Sequence, residues 1–223
     1  MRIMIDNAIG KLFCIGVGPG DPELLTVKGQ RILNDADVIA FPGNSSVAFQ
    51  IALKAVPAIR EKMQLPLHMP MTTEPQLLDS AHRSAVSSLE ALLTEGKNVA
   101  VLNLGDPAFY SSFSYLLDSF IQDGFEVEII PGVTSFSAAS ARLLQPLALG
   151  AEPVHILTSI NEYDPSFRGV LVVLKVGKHL ARWKSALAGR QVWMVENCGM
   201  QDEKIYHDDL PETAGYFSLL ISK

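Results

Sequence analysis

The sequence predicts an α/β protein made of two α/β domains, with a mostly parallel sheet in the first and a strand-rich mixed sheet in the second. Up to about residue 131, short β-rich runs alternate with longer stretches of helical periodicity. Beyond that point, short strand-like runs follow one another with one clear helix among them. The 223 residues are enough for two such domains, and we predict domains at 1–125 and 126–223.

The first half of the chain alternates strand and helix in order. LFCIGVG is a strand, followed by a helix over about residues 26–36 with Thr26 or Asp21 as its N-cap. DVIAFPG is a strand stopped by Pro42, and KNVAVLNLG is apolar enough to be buried on both faces. FEVEIIPG is a further strand, and the alternation predicts a parallel sheet with right-handed crossovers. The remaining helices are SVAFQIALKAV, EPQLLDSAHRSAVSSLEALLTEG and SSFSYLLDSFIQDG, the last two ended by glycine.

The second half is richer in strands. After PGVTSFSAASARLL, one helix is clear near residues 178–188. Five strands are predicted there, at PVHILTS, GVLVVLKVG, RQVWMVENCG, EKIYHDDL and YFSLLISK.

Charge and composition exclude several classes of partner. The net charge is −6 and the cations are scattered, which argues against nucleic acid but not against a small anionic substrate. No apolar run is long enough for a bilayer, and MRIMIDNAIGK lacks the unbroken apolar region of a signal peptide. Cys14 and Cys198 lack partners at metal-ligand spacing and stand in apolar contexts, which favours buried, reduced thiols and a cytoplasmic protein. The five histidines are dispersed, so no metal site is expected.

Two Gly-Asp-Pro loops stand out, in CIGVGPGDPELLT and LNLGDPAFYSS. The first resembles a dinucleotide fingerprint, but Gly16, Gly18 and Gly20 give G-x-G-x-G instead of G-x-G-x-x-G. Pro19 removes an N–H that a pyrophosphate would use, and Asp21 adds a negative charge. No lysine follows at P-loop spacing. The pattern therefore disfavours nicotinamide and ATP sites.

Both loops follow strands, and ligands of open α/β sheets bind at the carboxyl ends of strands. We therefore expect the two loops to open into one crevice. Acids and free carbonyls suit a cationic or hydroxyl-rich ligand, and S-adenosylmethionine carries a sulfonium, an ammonium and a ribose. The alternative is that Asp21 and Asp106 only cap the following helices, which we favour for Asp21.

Three motifs carry a family resemblance: GVGPGDPELLTVKGQRILNDADVIAFPG, GDPAFYSSFSYL and PGVTSFSAASARL. In this order and spacing they resemble the tetrapyrrole methylase family of S-adenosylmethionine-dependent enzymes, and the similarity runs from Leu12 to Leu220. YSSFSYLL, LKVGKHL and VENCGMQDEKI are most similar to the branch that methylates carbon C20 of precorrin-2 or cobalt-factor II in cobalamin biosynthesis. The resemblance implies two α/β domains with a cleft between them, usually in a homodimer.

The resemblance also implies a set of site residues. S-adenosylmethionine would lie in the cleft and leave as S-adenosylhomocysteine. For Val176 and Cys198, ordinary core packing is the alternative. Some sirohaem-forming members carry an aspartate where this chain has Pro42, which favours the C20 branch. The cofactor-binding residues expected from the motifs are Pro19, Leu104, Gly105, Asp106, Phe109, Thr134, Ser135, Val176 and Cys198.

The expected chemistry is methyl transfer to a ring carbon. The enamine-like tetrapyrrole is itself the nucleophile, so no activated Ser or Cys is needed. Tyr110 is the first candidate for proton handling and Tyr115 the second, with packing of the rings onto the sheet as the alternative. A polycarboxylate substrate needs cations, and we select Arg83 and Lys178.

Three alternatives stay open at this stage. They are methylation of another ring carbon, methylation of a protein side chain as in diphthine synthase, and a non-catalytic module that binds S-adenosylmethionine.

Overall fold

The computed structural model describes residues 9–72 and 74–223, which form two units with one five-stranded sheet each. The first unit ends at Val133 and the second spans Thr134–Lys223. The division falls later than residue 125 because the strand Val127–Ile130 pairs with Leu12–Gly16 in the first sheet. Most of MRIMIDNAIGK lies outside the described residues. Within the described part, no helix has the length and apolar character needed to cross a membrane.

The first unit is a parallel sheet with helices on both faces. Its strand order is β3-β2-β4-β1-β5, and every neighbouring pair is parallel. The strands are β1 Leu12–Gly16, β2 Val38–Pro42, β3 Met63–Leu67, β4 Val99–Asn103 and β5 Val127–Ile130. The helices are α1 Val27–Asp35, α2 Val47–Ala55, α3 Pro75–Thr94 and α4 Ser114–Gln122.

Successive residues of the central strands face opposite cores. Ile15 and Leu102 pack with α1 and α2, whereas Cys14 and Val101 pack with α3 and α4. Because both faces are covered, the strands are continuously apolar, as the sequence indicated. The chain leaves β1 through α1 on one face and leaves β4 through α4 on the other. The boundary between β1 and β4 is therefore the topological switch point of the sheet.

The edge strand β3 was not predicted from the sequence. It contains Pro66, which pairs in register with Phe41 of β2. Proline has no N–H for a second neighbour and is tolerated at the edge of a sheet. The proline argued against a strand in the sequence, but an edge strand needs hydrogen bonds on one side only and can contain it.

Side-chain caps begin two helices of this unit, α1 and α2. The Thr26 hydroxyl accepts from Gly29 N at 3.1 Å and caps α1, and Ser46 caps α2 by accepting from Phe49 N at 3.3 Å. Asp21 instead caps the 3₁₀ turn Pro22–Leu24, where it accepts from Glu23 N at 3.0 Å. Of the two candidate caps for α1, Thr26 is therefore the right one. Asp21 does act as a cap, although of the 3₁₀ turn, and whether it also contacts a ligand stays a prediction.

The second unit has a mixed sheet of order β6-β7-β10-β8-β9. Only β6 and β7 pair in parallel, because β10 runs antiparallel to β7 and β8, and β9 antiparallel to β8. Trp183, Met194 and Leu220 lie in its core. All five predicted strands are present, as β6 Val154–Leu157, β7 Val170–Leu174, β8 Val192–Glu196, β9 Lys204–His207 and β10 Ser218–Ser222. The helices are α5 Ser135–Arg142 and α6 Leu180–Ala186.

Candidate functional site

The two Gly-Asp-Pro loops meet at the switch point. Gly18 N donates to Gly105 O at 3.3 Å, and Gly105 N donates to Gly18 O at 2.8 Å. These reciprocal bonds form an isolated antiparallel bridge just beyond the carboxyl ends of β1 and β4. Both loops therefore lie at one edge of the first sheet, and the expectation that they open into one crevice stays a prediction.

Three glycines let the backbones of this edge touch. A Cβ on Gly16 would lie 2.6 Å from Gly105 O, and one on Gly132 would lie 2.2 Å from the same oxygen. Gly105 itself has φ +74°, a conformation that L side chains rarely adopt. Gly16 ends β1, and Gly132 follows β5, so three strand ends converge on one carbonyl. A side chain at either close position would push the loops apart.

Asp106 connects the second Gly-Asp-Pro loop to the end of β5. Its Oδ1 accepts from Ala108 N at 2.7 Å, and its Oδ2 accepts from Gly132 N at 3.1 Å. Both carboxylate oxygens therefore hold backbone N–H groups. The expected contact of Asp106 with a cofactor stays a prediction, and the bonds described give it a positioning role.

Asn103 and Ser111 close the base of the same loop, and sequence reasoning missed both. Ser111 Oγ donates to Asn103 Oδ1 at 2.7 Å and accepts from Phe113 N at 3.0 Å. Asn103 Nδ2 donates to Leu104 O at 2.9 Å. The sequence did offer a signal for this pair, because Asn103 is a polar residue at the end of the apolar run VAVL. An amide placed in a buried strand needs hydrogen-bond partners nearby.

Phe109 and Tyr110 lie at the outer part of this loop. Tyr110 has φ +49°, a conformation that is an outlier for a bulky residue. Its side chain is 55% exposed, and Phe109 meets it edge-on at a centroid distance of 5.2 Å. Backbone strain of this kind persists only where the surroundings impose it, and it is concentrated at functional sites. Of the other residues expected here, Pro19 is buried and Leu104 is half-buried.

The loops at this edge have a distinctive charge. Segments 17–26, 43–46, 104–113 and 131–133 contain Asp21, Glu23 and Asp106 but no lysine or arginine. Such an edge suits a cation or a hydroxyl-rich ligand and is unfavourable for a pyrophosphate. Within the described residues, no group of three or more His, Cys, Asp and Glu side chains is arranged to hold a metal ion.

The candidate cations lie on exposed surfaces. Arg83 forms an ion pair with Asp79, one turn earlier on α3, and both side chains are exposed. Lys178 is exposed in the 3₁₀ turn Gly177–His179 of the second unit.

Tyr115 is the second candidate for proton handling, with packing of its ring onto the sheet as the alternative. That packing interpretation is wrong, because the residue is 73% exposed and its ring stacks on His82 at a centroid distance of 5.5 Å.

Thr134 and Ser135 begin the second unit at the start of α5. Thr134 is the N-cap, and its hydroxyl accepts from Ser137 N at 3.3 Å and donates to Ser137 Oγ at 2.8 Å. Ser135 is the first helical residue. The hydroxyl of Thr134 is thus engaged by its own helix, and one lone pair of its oxygen is left to accept a hydrogen bond from a ligand.

Val176 and Cys198 follow β7 and β8, whose carboxyl ends lie on either side of the beginning of β10. Both residues are buried. Val176 N donates to Ser218 O at 3.2 Å. Burial, reinforced by the charge of Glu203, raises the pKa of the Cys198 thiol to about 12, so the thiol is neutral and does not act as a nucleophile.

A family model and individual relatives of the chain indicate the same protein family. The family model described as Tetrapyrrole (Corrin/Porphyrin) Methylases matches residues 11–214. The precorrin-2 C(20)-methyltransferase of Sinorhizobium sp is 34% identical, over 96% of this chain and 95% of that protein. A probable cobalt-precorrin-2 C(20)-methyltransferase of Methanocaldococcus jannaschii is 31% identical, over 98% of both chains.

A solved structure supports the same fold. The uroporphyrin-III C-methyltransferase of Thermus thermophilus, solved in complex with S-adenosylhomocysteine, superposes with a TM-score of 0.69. The match is 21% identical and covers 96% of this chain and 98% of that one. The likeness extends over both units.

Proposed function

Because the chain belongs to the tetrapyrrole methylase family, we propose that it transfers a methyl group from S-adenosylmethionine to carbon C20 of a precorrin-2-type tetrapyrrole. The relatives from Sinorhizobium sp and M. jannaschii carry this activity in their names and match nearly the whole chain. One observation of the structure carries the proposal. The two Gly-Asp-Pro loops are hydrogen-bonded to each other at the switch point, on an edge whose loops contain acids and no lysine or arginine.

The donor set of this edge fits S-adenosylmethionine. When bound, the cofactor supplies an electrophilic methyl group on a positively charged sulfur. In our proposal Pro19, Leu104, Gly105 and Phe109 hold it through backbone groups and apolar contact, while Asp106 fixes the loop. Thr134, Ser135, Val176 and Cys198 are the proposed contacts of the second unit.

The protein's main contribution to the reaction is positioning. The ring carbon of the substrate is the nucleophile, so the protein needs to hold the two reactants in line and exclude water. Such positioning supplies about 7–11 kcal/mol of the barrier in favourable cases. Glycine contacts and reciprocal backbone bonds give a rigid edge of the kind that this role requires.

Tyr110 is the proposed proton carrier. Its ring is held next to the Gly-Asp-Pro loop by a strained backbone, and the residue is 55% exposed, which supports contact with a substrate. Replacing Tyr110 with Phe is expected to lower kcat by about 10²-fold while the Kd of the cofactor changes little. An unchanged kcat would remove the hydroxyl from the reaction.

The substrate and the assembly complete the proposal. Lys178 and Arg83 are the candidate partners of the substrate carboxylates, and for Arg83 this requires exchange of its bond with Asp79. Cobalt, where present, arrives as part of the substrate. We further propose that the protein is a homodimer that works in the cytoplasm. Light scattering after size exclusion tests the assembly.

The decisive experiment is calorimetric titration with S-adenosylhomocysteine, with NAD as the control ligand. Micromolar binding of the first and none of the second is expected. Turnover is then measured with metal-free and cobalt-loaded precorrin-2 and a ¹³C-labelled methyl donor, and NMR locates the new methyl group. A label at another ring carbon would contradict the C20 assignment, and cofactor binding without transfer to either substrate would indicate a binding module.

A further inference from the structure

We propose that Glu196 is a positioning residue, whose buried carboxylate fixes the peptide of Gly215 and thereby the two loops that carry Val176 and Cys198. The inference rests on the proposed function, because it concerns the part of the second unit that would meet the cofactor. All of the contacts that carry it lie within that unit.

Glu196 and Ser218 bind the two peptide groups that flank Gly215. They are opposite each other in the pairing of β8 with β10, and both are buried, Glu196 to all but 8% of its surface. Glu196 Oε1 accepts from Gly215 N at 2.6 Å, and Ser218 Oγ donates to Gly215 O. The donor and the acceptor of Gly215 are therefore both bound by side chains of the sheet. We call residues 214–218 the clamped segment.

The clamped segment packs directly on the loop after β7. A Cβ on Gly177 would lie 2.4 Å from Gly215 O and 2.9 Å from Ala214 O. Val176 N donates to Ser218 O at 3.2 Å. The loop that carries Val176 is thus hydrogen-bonded to one end of the clamped segment and in backbone contact with the other.

The loop after β8 is attached to the same segment. Asn197, the residue between Glu196 and Cys198, donates its N–H to Phe217 O at 2.8 Å. Its backbone is left-handed, with φ +53°, and its Nδ2 donates to Asp202 Oδ2 at 2.7 Å. A displaced clamped segment would therefore disturb Cys198 as well as Val176.

The role assigned to Glu196 requires an acceptor and not a charge. Burying a carboxylate is costly, and a single backbone N–H offsets that cost in part. A glutamine at this position offers the same acceptor oxygen without the charge, whereas an alanine leaves Gly215 N without its partner. The two substitutions therefore distinguish positioning from electrostatics.

The experiment compares Glu196→Gln, Glu196→Ala and a matched control, Glu212→Ala, an exposed glutamate close to the clamped segment. Kd for S-adenosylhomocysteine is measured by calorimetry, and amide hydrogen exchange is followed at residues 175–179 and 197–199 of the full chain. We expect Glu196→Ala to raise Kd about tenfold and to speed exchange in both loops, with kcat less affected than KM. Glu196→Gln is expected to stay within about twofold of the wild type in Kd, as is the control.

Other results of this experiment would contradict the role proposed for Glu196 or the proposed function. Unchanged exchange in Glu196→Ala overturns the inference whether or not the cofactor binds. A Glu196→Gln variant as impaired as Glu196→Ala overturns it in favour of a charge effect. If the wild type binds no S-adenosylhomocysteine, the proposed function fails, and the exchange data alone decide whether Glu196 positions the loops. If Glu196→Ala does not fold, Ser218→Ala takes its place, and faster exchange at residues 175–179 is expected.

Discussion

The loops after β1 and β4 contain the same tripeptide, Gly-Asp-Pro, and share one local feature. In each, the aspartate accepts from the N–H two residues later, Glu23 N for Asp21 and Ala108 N for Asp106. They differ beyond that turn. Asp21 caps the 3₁₀ turn of its own loop, whereas the second oxygen of Asp106 reaches Gly132 N in the loop after β5.

The difference shows what a short motif specifies. Proline has no N–H, so the first donor available after Asp-Pro belongs to the next residue, and the turn follows from the tripeptide alone. The bond to Gly132 follows from the strand order, which places β5 beside β1. Identical residues therefore have local consequences in one loop and long-range consequences in the other. The following predictions test this contrast.

The largest effect is expected at the convergence of the three strand ends. In Gly132→Ala the new Cβ would meet Gly105 O at 2.2 Å, a backbone atom that cannot turn away. We expect a loss of about 3 kcal/mol in the free energy of unfolding and loss of cofactor binding. Gly43→Ala is the control, because Gly43 has a positive φ but open space around it, whereas Gly132 has close contacts without a positive φ, and the control should cost about 1 kcal/mol. Equal losses by urea denaturation would show that close approach at Gly132 costs no more than backbone strain alone.

A smaller effect separates the two aspartates. Asp106→Ala leaves two backbone N–H groups without acceptors, and we expect a loss of about 2 kcal/mol together with weaker binding of S-adenosylhomocysteine. Asp21→Ala removes a cap and should cost about 1 kcal/mol. Denaturation and calorimetry measure both quantities. If the two variants lose the same stability, the bond to Gly132 is energetically unimportant.

Substitution of Tyr110 is expected to raise the stability of the protein, in contrast to the substitutions above. Tyr110→Gly relieves a positive φ at a bulky residue, so stability is expected to rise by about 1 kcal/mol while turnover falls. Thermal unfolding and a methyl-transfer assay on the same preparation test this opposition. A less stable variant would mean that the ring contributes more through contacts, such as that with Phe109, than the backbone loses through strain.

The smallest effect is expected just outside the loop. Tyr115→Ala removes an exposed ring that stacks on His82, and we expect a change of less than about 0.5 kcal/mol with unaltered turnover. Tyr110→Ala in the same assay is the comparison. A large loss of activity in Tyr115→Ala would extend the site from the loop into α4.

The sequence could predict what depends on neighbouring residues. Continuous apolar runs gave the buried strands, and Thr26 and Ser46 cap their helices through contacts three residues away. Other features depend on residues that only the folded sheet brings together. They are the hydrogen bond between Gly132 and Asp106, the Asn103–Ser111 pair and the role of Glu196. The strand β3 was missed because its proline is acceptable only at an edge, and edge position is a property of the whole sheet.

The two sheets also differ in when one inner strand is synthesised relative to its two partners. In the first unit β1 lies between β4 and β5, so the earliest strand is synthesised long before either of its partners. In the second unit β10 lies between β7 and β8, so those strands wait for the last one. Neither sheet can close progressively along the chain, and unpaired strands of this kind are exposed to aggregation during synthesis. Chaperone availability and translation speed, more than the stability of the finished fold, should therefore govern the yield of soluble protein.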